Sequence, residues 1–222
     1  MALDDRFYVY RVNVVGNHRT SADDVFWASD LPGVHVLWAR PRRAARLIAE
    51  RLPNIERASV VCALPADCTI TIVERQPRLV WEEESNVWWV DADGVVMPPQ
   101  GMLADTWVVR GPLPLASAPG PDAEGSEPTG QQRIDEQVRI ALNELWLAGL
   151  DSTAVFAYAP GRGLVWMDPR GWRVVLGQGP GVAERLRVAA WLGDSLQARG
   201  LTPRFVDVRF PTAPYYSLTN EW

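Results

Sequence analysis

The 222-residue chain contains no lysine, so every basic side chain is an arginine, and its only histidines are His18 and His35. A histidine-rich metal site is therefore excluded, and a Ser-His-Asp arrangement would need one of these two residues. An excess of positive charge is also absent, since the net charge is −5 and the pI is about 5.1. This argues against broad nucleic-acid binding, which needs a basic surface to displace counterions from phosphates.

Long apolar runs are missing as well. No stretch approaches the roughly 20 uncharged apolar residues that span a bilayer, and no signal peptide precedes residue 20. Hydrophobic residues nevertheless make up 47% of the chain, which is enough for a folded core, and 11 of them are tryptophans. One basic cluster stands out: Arg40, Arg42, Arg43 and Arg46. Two interpretations of this cluster remain: the solvent-exposed start of a helix, or a contact with anionic lipid headgroups.

The two cysteines, Cys62 and Cys68, are separated by a short segment with Pro65 and Asp67 between two β-like runs. The sulfurs are therefore expected to face each other across a hairpin. A metal site would need more ligands than these two residues supply. A disulfide, which would indicate an oxidising compartment, and a pair of inert buried thiols both remain open.

The first 76 residues predict a β-α-α-β-β order. The run 7–15 is rich in β-branched and aromatic residues and predicts a strand. Thr20-Ser21 followed by acidic residues predicts the start of a short helix, and Pro41 is placed as the first residue of a second helix. The runs 55–62 and 68–74 predict the hairpin.

The remainder, residues 77–222, predicts a second α+β domain. Several short strand-like runs lie at 79–81, 87–90, 95–96, 106–109, 154–158, 163–167 and 172–176. Apolar residues repeat at helical spacing after 134 and again after 182. The segment 111–130 is dense in proline, glycine, alanine and serine, which predicts an exposed, mobile loop.

Two glycine-containing turns could carry chemistry. Asp91-Ala-Asp93-Gly94 begins like a calcium loop, but the downstream ligands are missing, which favours a hairpin turn. The run 177–181 (Gly-Gln-Gly-Pro-Gly) resembles a phosphate-cradling loop without its Lys and Ser/Thr, which favours a strand-to-helix turn. No catalytic residue, metal ligand or cofactor is predicted, so we expect a protein that is not an enzyme.

The C-terminal region is the remaining candidate for function. Alternation within 205–210 predicts a half-buried strand, with Phe205 and Arg209 on one face and Val206, Val208 and Phe210 on the other. The run 215–218 is predicted as a last strand at a sheet edge, where unpaired backbone groups can bind another chain.

The order of these motifs resembles the FtsQ/DivIB family of bacterial cell-division proteins. The resemblance extends over residues 7–218 and rests on Val12-Asn-Val14-Val-Gly16-Asn17, Leu52-Pro53-Asn-Ile55, Glu74-Arg75-Gln-Pro77, Gly171-Trp-Arg-Val-Val-Leu176-Gly177 and Val206-Asp207-Val208-Arg209-Phe210. It implies an α+β fold in which residues 1–76 form a POTRA domain. Residues 77–222 would form a second α+β domain with a mainly antiparallel sheet and two helices.

The resemblance also implies a function. The chain would be the extracytoplasmic part of a single-pass cell-membrane protein, whose transmembrane anchor is absent from this chain. It would bind FtsB/DivIC-type and FtsL-type partners by strand pairing and help to regulate septal peptidoglycan synthesis. The predicted partner-binding residues are Phe205, Val208, Phe210, Tyr215, Tyr216, Ser217 and Leu218. The alternatives are a chaperone-like POTRA module of an outer-membrane assembly or secretion system, and an unrecognised hydrolase in the second domain.

Overall fold

The computed structural model describes residues 4–116 and 131–219, which fall into two compact units. The first unit runs to Gln76 and also includes Met97–Met102 and Gln131. The second holds Pro77–Val96 together with residues 103–116 and 132–219. Most of the predicted loop at 111–130 lies outside the described residues.

The first unit has the predicted β-α-α-β-β order. Its elements are β1 (Asn13–Val15), α1 (Ala22–Ala28), α2 (Pro41–Arg51), β2 (Ile55–Ala63) and β3 (Asp67–Glu74). The sheet order is β1-β3-β2, with β1 parallel and β2 antiparallel to β3. Ser21 caps α1 by accepting a hydrogen bond from the Asp24 N–H, and Pro41 opens α2. Apolar side chains from both helices and the sheet form one core.

The N-terminal run at 7–15 is not one strand, in contrast to the prediction. Residues Asp5–Phe7 form a 3-10 turn, and only Asn13–Val15 joins the sheet. Between them, the Val9 N–H donates to the Val34 carbonyl (2.9 Å) and the Val9 carbonyl accepts from the Gly33 N–H (2.9 Å). The extended backbone at Val9 therefore pairs with the loop after α1, which includes a second 3-10 turn at Val36–Trp38.

The second unit is built on a nine-stranded mixed sheet. Its strands are β4 (Pro77–Glu83), β5 (Asn86–Asp91), β6 (Val96–Met97), β7 (Trp107–Arg110), β8 (Val155–Ala159), β9 (Gly163–Met167), β10 (Arg173–Gly177), β11 (Phe205–Asp207) and β12 (Tyr215–Ser217). The order across the sheet is β12-β11-β10-β9-β8-β7-β4-β5-β6. The α+β class is confirmed, and the sheet combines antiparallel pairs with parallel ones such as β7–β8 and β10–β11.

Two helices make those parallel pairs possible. Because parallel neighbours need a long crossover, α3 (Glu136–Leu147) joins β7 to β8 and α4 (Val182–Ala198) joins β10 to β11. The helices pack against each other and bury apolar side chains such as Leu145 and Leu196 in the main core with Trp81, Trp107 and Phe156. Two indole N–H groups in this core are satisfied by backbone: Trp81 donates to the Gly111 carbonyl (2.9 Å) and Trp107 to the Asp151 carbonyl (2.7 Å). Throughout the described residues, no helix combines the length and apolar character needed to cross a bilayer.

Candidate functional site

The C-terminal strand β12 lies at one end of the nine-stranded sheet. It pairs antiparallel with β11 in the register Phe205↔Ser217, Val206↔Tyr216 and Asp207↔Tyr215. The Arg204 N–H extends this ladder by donating to the Ser217 carbonyl at 2.8 Å. Within residues 4–116 and 131–219, no strand pairs with the outer side of β12. That side presents backbone donors and acceptors to solvent, which is the geometry that an added strand requires.

The chain leaves β11 because of a local hydrogen-bonded turn. The Asp207 carboxylate accepts from the backbone N–H of Arg209 (3.0 Å) and from its guanidinium (2.8 Å). The side-chain hydrogen bond to Asp207 is the main reason that the pKa of Arg209 is raised above its usual value. Val208 is fully buried and its N–H donates to the Val175 carbonyl (3.1 Å), while the next apolar residue, Phe210, points to solvent. The prediction that Phe210 lies on the same strand face as Val206 and Val208 is therefore wrong.

The predicted partner-binding residues divide by exposure. Phe210, Tyr215 and Leu218 are 69%, 59% and 51% exposed, so all three side chains are accessible to solvent. Tyr216 is half-buried against the main core, and Ser217 is also half-buried.

Two of the predicted residues lie inside the domain. Phe205 is 5% exposed and Val208 is fully buried. The Phe205 ring lies 5.8 Å from the Tyr215 ring, in a tilted arrangement. Phe205 and Val208 therefore support the β12 edge from inside the domain, whereas Phe210, Tyr215 and Leu218 are accessible to solvent.

The cysteines lie directly opposite each other in the β2–β3 hairpin. Cys62 and Cys68 are register partners, and their sulfurs are bonded at 2.02 Å. Cys68 is 1% exposed and Cys62 is half-buried. Within the described parts of the chain, no cluster of three or more His, Cys, Asp or Glu side chains could hold a metal ion.

The Asp91 turn after β5 has the geometry of a hairpin turn. One Asp91 carboxylate oxygen accepts from the N–H groups of Asp93 (2.9 Å) and Val95 (2.8 Å). Gly94 takes a φ of +77°, the left-handed conformation that favours glycine. The turn thus uses Asp91 to order its own backbone, as the hairpin interpretation requires.

The glycine-rich turn between β10 and α4 is filled by an arginine of the chain itself. Arg185, only 7% exposed, donates to the carbonyls of Leu176 (2.7 Å), Gln178 (3.0 Å), Gly179 (3.2 Å) and Pro180 (2.8 Å). Burial lowers the pKa of Arg185, and the charge of Glu144 opposes that shift. A phosphate-cradling loop would instead point N–H groups at an anion.

The amino end of α4 is also occupied by a side chain from α3. Glu144 accepts from the N–H of Gly181 (3.0 Å) and of Ala183 (3.3 Å). A carboxylate is the group that the helix dipole favours at this position. The place where an anionic ligand would sit therefore holds a carboxylate of the domain, and the strand-to-helix interpretation is confirmed.

The two histidines have structural surroundings. The His35 ring stacks on Phe7 (5.8 Å) and meets the edge of Tyr8 (5.1 Å), while its Nδ1 accepts from the Leu37 N–H (3.3 Å). The backbone N–H of His18 donates to Glu74 (3.0 Å). Among the described residues, neither imidazole is hydrogen-bonded to a serine or cysteine side chain.

Glu74 and Arg75 are both buried, and their side chains form hydrogen bonds with backbone groups of the first unit. The Glu74 carboxylate, 7% exposed, accepts from the N–H groups of His18 (3.0 Å), Arg19 (3.0 and 3.1 Å) and Thr20 (2.8 Å). Burial alone would raise the pKa of Glu74, but these backbone hydrogen bonds outweigh it and lower the pKa. The Arg75 guanidinium donates to the Pro53 carbonyl (3.1 Å). The sequence motif therefore ties the end of β3 to the loop before α1.

Sequence reasoning missed the partners of several polar residues. Nothing in the local pattern around Glu144 or Arg185 indicates that the first caps α4 and the second fills the preceding turn. The one available signal is chemical, since a helix that begins after glycines lacks its own capping side chain.

In a comparison with protein families, residues 7–75 match the model described as POTRA domain, FtsQ-type. No curated protein matches the chain significantly.

Proposed function

The chain carries an FtsQ-type POTRA domain, which supports its assignment to the FtsQ/DivIB family, and on this premise we propose that it is a non-catalytic cell-division scaffold. Its second unit binds FtsB/DivIC-type and FtsL-type partners at the β12 edge. Through these partners it contributes to the regulation of septal peptidoglycan synthesis. The observation that carries the proposal is the unpaired side of β12, flanked by exposed Phe210, Tyr215 and Leu218.

The edge suits a partner strand in two ways. Backbone hydrogen bonds to β12 would supply affinity without demanding a particular partner sequence, and the side chains beside it would supply specificity. Aromatic residues dominate interface energetics, so Tyr215 and Phe210 are the expected anchors. The neighbouring strand β11 supports β12, because Phe205 and Val206 of β11 are buried in the domain.

We further propose that a single transmembrane segment outside this chain holds both units on the extracytoplasmic side of the cell membrane. The FtsQ-type domain implies a membrane-anchored periplasmic part. The Cys62–Cys68 disulfide supports an oxidising compartment, since such bonds are rare in the cytosol.

Calorimetric titration tests the edge directly. The purified chain is titrated with the extracytoplasmic segment of the FtsB/DivIC-type protein from the same genome, alone and together with its FtsL-type partner. Tyr215→Asp and Leu218→Asp should each weaken binding by about 30-fold, the effect of losing roughly 2 kcal/mol at a hot spot. Tyr10→Asp is the matched control, because Tyr10 is similarly exposed (63%) in the first unit.

Saturable binding that neither C-terminal variant weakens would move the site away from β12. An absence of binding to either partner would count against the scaffold proposal itself.

A further inference from the structure

A basic and aromatic surface lies on the first unit, far along the chain from β12. It comprises Leu37, Trp38, Arg40, Arg42 and Arg43, and we refer to it as the arginine–tryptophan face. Leu37 and Trp38 are 70% and 76% exposed at the 3-10 turn before α2. The three arginines follow at once and are all exposed.

The arginines of this face form no direct bond with an acidic side chain of the described residues. Among the described residues, the side chains of Arg40, Arg42 and Arg43 make no ion pair or hydrogen bond, whereas Arg46 contacts Glu50 (3.4 Å) and Arg51 contacts Asp30 (2.5 Å). Asp30 is the one acidic side chain that lines the same groove as Trp38, Arg40 and Arg43. Because Arg51 already binds Asp30 directly, and Arg43 acts on that carboxylate only through its charge, the face keeps a net positive charge.

Folding does not account for this placement. Arg42 and Arg43 lie in the first turn of α2, where the helix dipole disfavours positive charge. That turn contains no acidic residue, and Arg40 at the cap position makes no side-chain hydrogen bond to the helix. The face is also unlike the rest of the chain, whose net charge is negative.

We propose that the arginine–tryptophan face binds the surface of a bilayer that contains anionic phospholipid. Trp38 and Leu37 enter the boundary between headgroups and acyl chains, where tryptophan is favoured. The three guanidinium groups bind headgroup phosphates, for which their planar donor geometry is suited. The combination of exposed apolar side chains with a net positive charge favours an anionic membrane over a neutral one. The proposal does not depend on the function of the β12 edge.

Cosedimentation of the 222-residue protein with lipid vesicles tests this inference. Vesicles of phosphatidylcholine with added phosphatidylglycerol should bind it, and vesicles of phosphatidylcholine alone should bind it far less. Arg40→Gln and Arg43→Gln should each weaken binding about fivefold, and Trp38→Ala about tenfold. Raising the ionic strength should weaken binding further, because salt screens the charges.

Matched controls come from the second unit. Trp191 is 67% exposed on α4, and Arg199 is exposed at the end of that helix. Trp191→Ala and Arg199→Gln should leave vesicle binding unchanged, and circular dichroism should show all variants folded.

Three results would overturn the proposal: no binding to anionic vesicles, equal binding to neutral ones, or equal loss in the control variants. A protein that ignores vesicles but binds oligoglutamate through Arg40 and Arg43 would instead assign the face to an acidic protein segment.

Discussion

The buried carboxylate of Glu74 is expected to contribute strongly to the stability of the first unit, and one substitution can measure that contribution. It accepts hydrogen bonds from three consecutive backbone N–H groups, at 2.8 to 3.1 Å. Glu74→Gln keeps the shape of the side chain but removes its charge. The amide NH₂ of glutamine is itself a donor, so at least one of the three backbone N–H groups loses its acceptor. Because charge-assisted hydrogen bonds contribute about 1.5–3 kcal/mol each, we expect a loss of roughly 2–4 kcal/mol in the free energy of unfolding.

The assay is urea unfolding at pH 7, followed by hydrogen exchange in peptides of residues 13–28 and 55–74. This reports the first unit separately from the second. Glu56→Gln is the matched control, because Glu56 is an exposed glutamate of the same unit with only a 3.6 Å contact to Arg57. The control should change the free energy of unfolding by less than about 0.5 kcal/mol.

The pH dependence gives a second, independent check. The pKa of Glu74 is lowered in the folded state, so its contribution is fully present above the unfolded-state value, near roughly 4.3. It is lost as the pH falls from there through the lower folded-state pKa. The difference between the wild type and Glu74→Gln should therefore shrink on acidification. A loss of less than about 0.5 kcal/mol at pH 7, or a difference that grows as the pH falls, would refute the reasoning.

Three further substitutions test the backbone at two glycines of the first unit and the arginine that fills the turn before α4. Gly16 has a φ of +89° and its absent Cβ would collide with the Ile72 carbonyl, so Gly16→Ala should destabilise the first unit by at least about 2 kcal/mol in thermal unfolding. Gly33→Ala, with a φ of +71° but open space, should cost only about 1 kcal/mol, and equal losses would contradict the clash. Arg185→Lys should lower the free energy of unfolding of the second unit by roughly 2–4 kcal/mol in urea, because an ammonium cannot reach all the carbonyls that the guanidinium binds. A change within about 0.5 kcal/mol would show that the turn does not need the guanidinium.

Local signals in the sequence were sufficient for much of the fold. Pro41 marks the start of α2, and the β-branched runs on either side of the cysteines form β2 and β3. These features depend on neighbours within a few residues. The run at 7–15 failed because β-propensity does not reveal a strand's partner, and Val9 pairs with Val34 instead of with the sheet.

The candidate site was predictable in position but not in its exposed residues. The last strand at a sheet edge is correctly placed at Tyr215–Ser217. Alternation put Phe210 on the same face as Val206 and Val208, but it assumes an unbroken strand, and the contact between Asp207 and Arg209 turns the chain after β11. The net positive charge around Arg40, Arg42 and Arg43 could not be predicted either, because it depends on where the acidic side chains lie in the fold.

The open side of β12 has a consequence for stoichiometry. At the opposite end of the sheet, β6 is covered, since the Val96 N–H donates to the Gln132 carbonyl (2.9 Å). Within the described residues the sheet thus has room for one further strand. Any two chains that add to this edge, including a second copy of the protein, must compete for the same place. Under the strand addition proposed above, the occupancy of the edge by one partner would fall as the concentration of any rival strand rises.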